Sequence, residues 1–187
     1  MIDLFLSAFI TFFVVIDPPG CAPIYASLTK GANAVQRRNM AFRAVIVASG
    51  ILLVFALFGE QLLSALHIEL NSFRIAGGIM LFLIAIDMVF EKRTERREER
   101  AQKILETPEI EDVSVFPMAM PMIAGPGSIA SVMLLMSQNS GMDRASVILG
   151  ALATVLVLTL LALLAAGPIM RVLGANAEAV ITRLLGV

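Results

Sequence analysis

The stretch Asp17-Pro18-Pro19-Gly20-Cys21-Ala22-Pro23 interrupts an N-terminal run that is otherwise almost wholly apolar. A second interruption, Ala124-Gly125-Pro126-Gly127-Ser128-Ile129, follows about a hundred residues on. An offset of 107 carries Pro19 to Pro126, Gly20 to Gly127 and Cys21 to Ser128. Proline removes a backbone donor and glycine costs helical entropy, so each stretch should break a helix that would otherwise run on. In lipid, backbone groups freed this way survive only against protein or a watery cavity. Breaks at corresponding places of two halves point to a transporter's binding site.

The surrounding composition sets the environment. The 187-residue chain is 58% hydrophobic and only 16% charged, with a mean hydropathy of +0.88. Soluble domains carry about 25% charged residues, so the expected fold class is an all-α polytopic membrane protein. The net charge of −1 is uninformative because the charges are segregated into loops. Nucleic acid is not an expected partner, since carboxylates dilute the one basic run. A lone Cys21 excludes an internal disulfide, and a lone His67 excludes a His-rich metal site. No nucleophile-elbow, zinc-protease, Walker or dinucleotide pattern occurs, so neither enzymatic activity nor a cofactor or metal is expected. The N-terminus lacks the basic region and cleavage site of a signal peptide and should be retained as the first span.

Residues 2–29 exceed the ~20 needed to cross a bilayer and read as one span made of two half-helices. A polar, basic segment follows at 30–43. The second span is expected at 44–58, starting near Met40, with Ala44, Ala48 and Gly50 as small surfaces for helix contact. An amphipathic connection at 59–71 leads to a third span at 72–90, with Asp87 near its end. Residues 113–137 form a fourth span, broken by Pro117, Pro121 and Gly125-Pro126-Gly127. A fifth, 146–169, should end at Gly167-Pro168, with a turn at 171–178 and a further apolar element from Ala179.

Between the halves, residues 91–112 hold six of the 14 Lys and Arg and eight of the 15 Asp and Glu, as a solvated linker does. The domain reading is therefore a first three-helix repeat at 1–90, a charged cytoplasmic linker at 91–112 and a second repeat at 113–187. Phe73-Arg74-Ile75-Ala76-Gly77 and Thr182-Arg183-Leu184-Leu185-Gly186 align at an offset of 109. The order broken span, plain span, Arg-led span thus occurs twice, and the sixth helix is expected to be truncated, lacking a counterpart to 78–90. With the N-terminus outside, nearly all Lys and Arg fall in cytoplasmic loops. Three spans per half is an odd number, so the repeat should be inverted, with its axis in the membrane plane.

A helix restarting after Pro19-Gly20 exposes its first amides, among them those of Cys21 and Ala22, and Pro23 suits a first helical turn. The same holds after Pro126-Gly127, where Ser128 is a candidate cap. Helix starts carry positive partial charge and bind carboxylates. Asp17 adds one acidic group, because its mate at offset 107 is Ala124. An ionisable group at this depth is a functional candidate by default. A positive helix end beside one carboxylate suits a zwitterion, with the substrate carboxylate on the amides and its ammonium on Asp17. Two further roles stay open for Asp17: a proton-coupling site, or simply a cap on the second half-helix. The expected substrate-binding residues are Asp17, Pro19, Gly20, Cys21, Gly125, Pro126, Gly127 and Ser128. Asp17 and Asp87 are the coupling candidates, and for Asp87 snorkelling toward water is the plainer role. Arg74 and Arg183 anchor helix ends, while Tyr25, Thr29 and Ser131 have no face fixed by the sequence.

The stretches Val15-Ile16-Asp17-Pro18-Pro19-Gly20-Cys21-Ala22-Pro23-Ile24-Tyr25 and Val115-Phe116-Pro117-Met118-Ala119-Met120-Pro121-Met122-Ile123-Ala124-Gly125-Pro126-Gly127-Ser128-Ile129 closely resemble the two signatures of the MarC family. The resemblance covers essentially the whole chain. It implies a bacterial or archaeal inner-membrane protein of six spans, with transport of small neutral amino acids in some members. The family is also similar to the wider lysine-exporter superfamily, which shares the three-plus-three inverted repeat. The expected function is a secondary transporter of small neutral amino acids or similar zwitterions, with proton coupling as an option. Its partners would be the lipid bilayer and a small-molecule substrate, with a homo-oligomer left open. Two alternatives stand beside it: a non-transporting scaffold or regulator working through the central loop, and a carrier of another small anion or a lipid.

Overall fold

Asp17 alone joins the first two helices. In the computed structural model, which describes residues 1–90, 112–139 and 141–185 (side chains of 87–89 and 168–185 excepted), it adopts φ 59° and ψ 67°. Asp tolerates this left-handed region because its short polar side chain bonds locally. Its amide donates to the Phe13 carbonyl at 2.9 Å and closes α1, Ile2–Ile16. Its carboxylate accepts the Gly20 amide at 3.0 Å and opens α2, Pro18–Leu28. Pro18 and Pro19 fill the first helical positions, where a missing N–H costs nothing. Pro23, expected in that first turn, lies a turn further on, and so supplies no N–H to the Pro19 carbonyl four residues back.

The next helix is longer than the sequence suggests. α3 runs over Ala34–Ala65, so Arg37, Arg38 and Arg43 ride on its opening turns and Glu60 on its last. It starts early because Asn33 and Gln36 form a reciprocal capping box, each side chain bonding the other's amide at 2.9 Å. It ends at His67, whose φ of 55° lets the Ile68 and His67 amides bond the Leu63 and Ser64 carbonyls. That is the usual glycine-type helix stop, and it gives the lone histidine a structural role. α4 follows at Leu70–Val89.

The second break is built differently. Ser114–Ile123 winds in wide turns closed by i→i+5 bonds, Met118 N–H to Val113 at 3.3 Å and Ala124 N–H to Ala119 at 2.8 Å. Phe116 and Met120 are locally extended, as residues preceding proline must be, and the bonds to Pro117 and Pro121 are cis. α5, Pro126–Gln138, restarts from an extended Gly125 and leaves the wide-turn segment at 51°. α6 spans Met142–Leu185. The stop expected at Gly167-Pro168 and the turn at 171–178 are therefore helical. Proline is tolerated inside a membrane helix where local adjustment re-satisfies the freed carbonyl.

Among the described residues all regular structure is helical. By length and composition three stretches can cross a membrane, 2–28, Ala34–Ala65 and Met142–Gly167, and the bent pair makes a fourth. α1 and α2 both pack along α6, and α5 packs on α1, α3 and α4. The wide-turn segment lies on α3, which also meets α6. Ala41, Ala44, Ala48, Leu52 and Ala56 form the buried stripe of α3, whereas Gly50, expected beside them, is exposed. Lipid is as apolar as these side chains, so close backbone approach and dispersion, not burial from water, hold such a seam.

Candidate functional site

The two breaks meet. A Cβ built on Gly127 would lie 3.1 Å from Val15 Cγ1 and 2.6 Å from Ile84 Cδ1. The start of α5 is thus seated against the end of α1, two residues before Asp17, with α4 on its other side. A side chain there would require Ile84 and Val15 to give way. At the first break, a Cβ on Gly20 would fall 2.1 Å from Asp17 Oδ2. The carboxylate of Asp17 therefore lies over the first turn of α2 because residue 20 has no side chain.

A matching pair of hydrogen bonds crosses the breaks. Cys21 Sγ donates to the Ile16 carbonyl at 3.5 Å, and Ser128 Oγ donates to the Ile123 carbonyl at 2.8 Å. Both partners are related by the same offset of 107. In each case the last carbonyl of the first half receives a side-chain donor from one turn into the second. Ser128, expected to cap α5, occupies the third helical position instead, since Gly125 is the N-cap, and points back across the break.

The breaks differ where charge is concerned. Asp17 caps α2, whereas the start of α5 has no side-chain cap. An uncapped helix start is a positive end with amide donors directed outward. At the first break, Asp17 and the Pro19 carbonyl, which Pro23 deprives of its helical donor, are electron-rich. Pro19 and Pro126 are both exposed, Asp17 and Gly20 half-buried, and Cys21, Gly125, Gly127 and Ser128 buried. The structure thus gathers Asp17, Pro19, Gly20 and Cys21 at one break and Gly125, Pro126, Gly127 and Ser128 at the other, with the breaks in contact through Val15 and Gly127.

The weaker candidates fall elsewhere. Asp87 lies near the end of α4, and its side chain is outside the described residues, as are those of Arg183 and the linker at 91–111. The Arg74 guanidinium donates to the Ser137 carbonyl at 3.0 Å and anchors the C-terminal end of α5. Thr29 bonds the Tyr25 carbonyl one turn back, away from the breaks, whereas Ser131 bonds the Gly127 carbonyl of the second break. Sequence reasoning misses two ties between elements. The buried Tyr25 hydroxyl donates to the Arg37 carbonyl on α3, and Arg43 pairs with Asp112. A lone tyrosine in an apolar helix is a usable signal, because its hydroxyl needs a partner when buried. The Asp112 carboxyl is held below its usual range chiefly by Ser114, against the opposing effect of burial, with lesser help from Arg43. Of the two Ser114 groups beside it, the amide closes a 2.9 Å bond, while the hydroxyl has no partner in hydrogen-bond geometry. Among the described residues no cluster of His, Cys, Asp or Glu is arranged to hold a metal ion.

Apolar spans, two of them broken, define an integral multi-pass membrane protein. The chain belongs to the MarC family of integral membrane proteins, whose profile matches residues 2–187. It is 36% identical to the UPF0056 membrane protein MJ1677 of Methanocaldococcus jannaschii, over 99% of this chain and 89% of that one. It is 35% identical to the UPF0056 membrane protein YvbG of Bacillus subtilis, over 100% of this chain and 88% of the relative. No solved structure matches.

Proposed function

We propose that this protein is a secondary transporter of small neutral amino acids or similar zwitterions, acting in the inner (plasma) membrane. The observation that carries the proposal is the contact between two unlike helix breaks. One presents the Asp17 carboxylate and the Pro19 carbonyl, and the other an uncapped helix start at Gly125-Pro126-Gly127. A substrate ammonium is placed on the first and a substrate carboxylate on the second. The two poles of a neutral amino acid are separated by a single carbon, so adjacent sites of opposite sign are what such a ligand requires. No step of bond making or breaking is involved, and the protein is read as a carrier and not an enzyme.

The halves are related as an inverted repeat of three plus three spans, with the N-terminus outside. The paired bonds Cys21 to Ile16 and Ser128 to Ile123 support this reading, as does the placement of Lys and Arg toward one face. Alternating access then rocks one half against the other about the junction of the breaks. Proton coupling is assigned to Asp17, the one carboxylate of the two breaks.

The test is transport in proteoliposomes by the Asp17→Asn protein. Asparagine keeps the left-handed conformation and the cap, and removes only the charge. A hydrogen bond to a charged group contributes about 1.5–3 kcal/mol, so labelled alanine uptake should fall by about tenfold or more while the protein stays folded. Uptake at the wild-type rate would sink the zwitterion site.

A further inference from the structure

A cavity of about 540 Å³ opens beside the ends of α2 and α3, far from the junction of the breaks along α2. Its lining includes Leu28, Gln36, Asn39, Met40, Arg43 and Asp112. The Arg43 guanidinium and the Asp112 carboxylate close on each other at its edge, with side chains 60% and 43% exposed. The pair is also a tie between the halves. Arg43 belongs to α3, and Asp112 leads directly into the wide-turn segment that ends in the second break.

The cavity is linked to the first break by one face of α2. Cys21, Ile24, Tyr25 and Leu28 are all buried, and their spacing of i, i+3, i+4, i+7 places them in one stripe. Seven residues of helix span about 10 Å. Leu28 lines the cavity and Cys21 bonds across the break, with Ile24 and Tyr25 between them on the same stripe. Tyr25 is held in that position by its bond to the Arg37 carbonyl, two turns before Arg43 on the same helix. The Tyr25 bond thus couples the first turns of α3 to the stretch of α2 that lies between cavity and break.

We propose that the Arg43–Asp112 ion pair is a latch that keeps this vestibule closed over the first break, and that α3 parts from residue 112 when the vestibule opens. The inference rests on the transporter reading given above. An exposed ion pair suits the role because it is weak. It biases an equilibrium by up to about fivefold (about 1 kcal/mol, with RT of 0.59 kcal/mol), enough to favour one state without trapping it.

The lone cysteine makes the latch measurable without a substrate. Cys21 is fully buried, so its alkylation by a membrane-impermeant maleimide reports opening. The full-length protein is reconstituted in vesicles, and reagent is added from the face that carries Lys30 and Arg43 or from the other. Asp112→Asn and Arg43→Gln should each raise the rate from the first face by about two- to fivefold and leave the other face unchanged. The exchanged pair, Arg43→Asp with Asp112→Arg, should return toward the wild-type rate. Wild-type rates in both single variants would overturn the latch, as would an exchanged pair labelled as fast as the singles. A rise from both faces would mark general loosening and overturn it as well. Labelling involves no transported molecule, so this result stands apart from the alanine uptake that tests the transporter reading.

Discussion

Replacing Asp17 by Asn, Gly and Ala separates the three tasks this residue performs. Its backbone is left-handed at φ 59°, its carboxylate accepts the Gly20 amide, and it carries a charge. Asparagine preserves the first two tasks and loses the charge at a helix start, at a cost of about 0.3–1 kcal/mol. Glycine preserves the backbone alone and gives up the cap, where glycine costs a few tenths of a kcal/mol relative to Asp or Asn. Alanine keeps neither. Its Cβ meets the left-handed penalty of roughly 1–2 kcal/mol, and the lost cap adds about 1 kcal/mol, for a total of about 2–3 kcal/mol. The assay is thermal unfolding of the purified proteins in one detergent, followed by circular dichroism. The midpoints should order with Asn and Gly near the wild type and Ala clearly lowest. An alanine variant melting with the asparagine variant would refute the reasoning, because residue 17 would then owe nothing to its backbone or cap.

Two other outcomes follow from the packing and the charges. Gly127→Ala places a methyl 2.6 Å from Ile84 Cδ1 and 3.1 Å from Val15 Cγ1, so it should destabilise by about 1–3 kcal/mol in the same melts, with Gly127→Val worse. The Asp112 carboxyl is depressed in the folded state, so its contribution is present above the unfolded value of about 3.9 and is lost as pH falls through the folded value. The wild type should therefore melt slightly above Asp112→Asn at neutral pH, and the two should converge in acid; a difference that persists in strong acid would assign it to another cause.

Much of the fold is legible in the amino-acid sequence, for reasons that can be stated residue by residue. Pro18, Pro19 and Pro126 fix the helix starts at both breaks through covalent limits on φ and the missing N–H, and such limits act locally. The bounds of α1 with α2, and of the wide-turn segment with α5, accordingly agree with the expected spans within a residue or two. α3 exceeds its expected span because hydropathy reports lipid contact and not helix length. Its ends are set by Asn33-x-x-Gln36 and by His67, and only the first of these leaves a pattern in sequence. Pro168 marks the opposite failure: one proline does not stop α6 where the helix can adjust around it.

The candidate site is half legible. That two breaks correspond is plain from the offset of 107, and the charge asymmetry from Asp17 against Ala124. That Cys21 and Ser128 hand their hydrogens back across the breaks is not, because a side chain's direction at a broken helix depends on which carbonyl has lost its donor. Of the long-range ties, Tyr25 to Arg37 and Arg43 to Asp112, the lone tyrosine signals only that a partner exists, and neither partner has a local signature. They depend on how helices pack, which a single sequence does not display.

The most direct measurement of the central claim is a binding panel on the purified wild-type protein, using alanine, propionate, ethylamine, inorganic phosphate and a short-chain phospholipid. A site with one carboxylate pole and one amide pole should bind alanine, and should bind propionate and ethylamine at least tenfold more weakly, since each lacks one pole. Propionate, phosphate or lipid binding as tightly as alanine, or alanine not binding at all, would contradict the account.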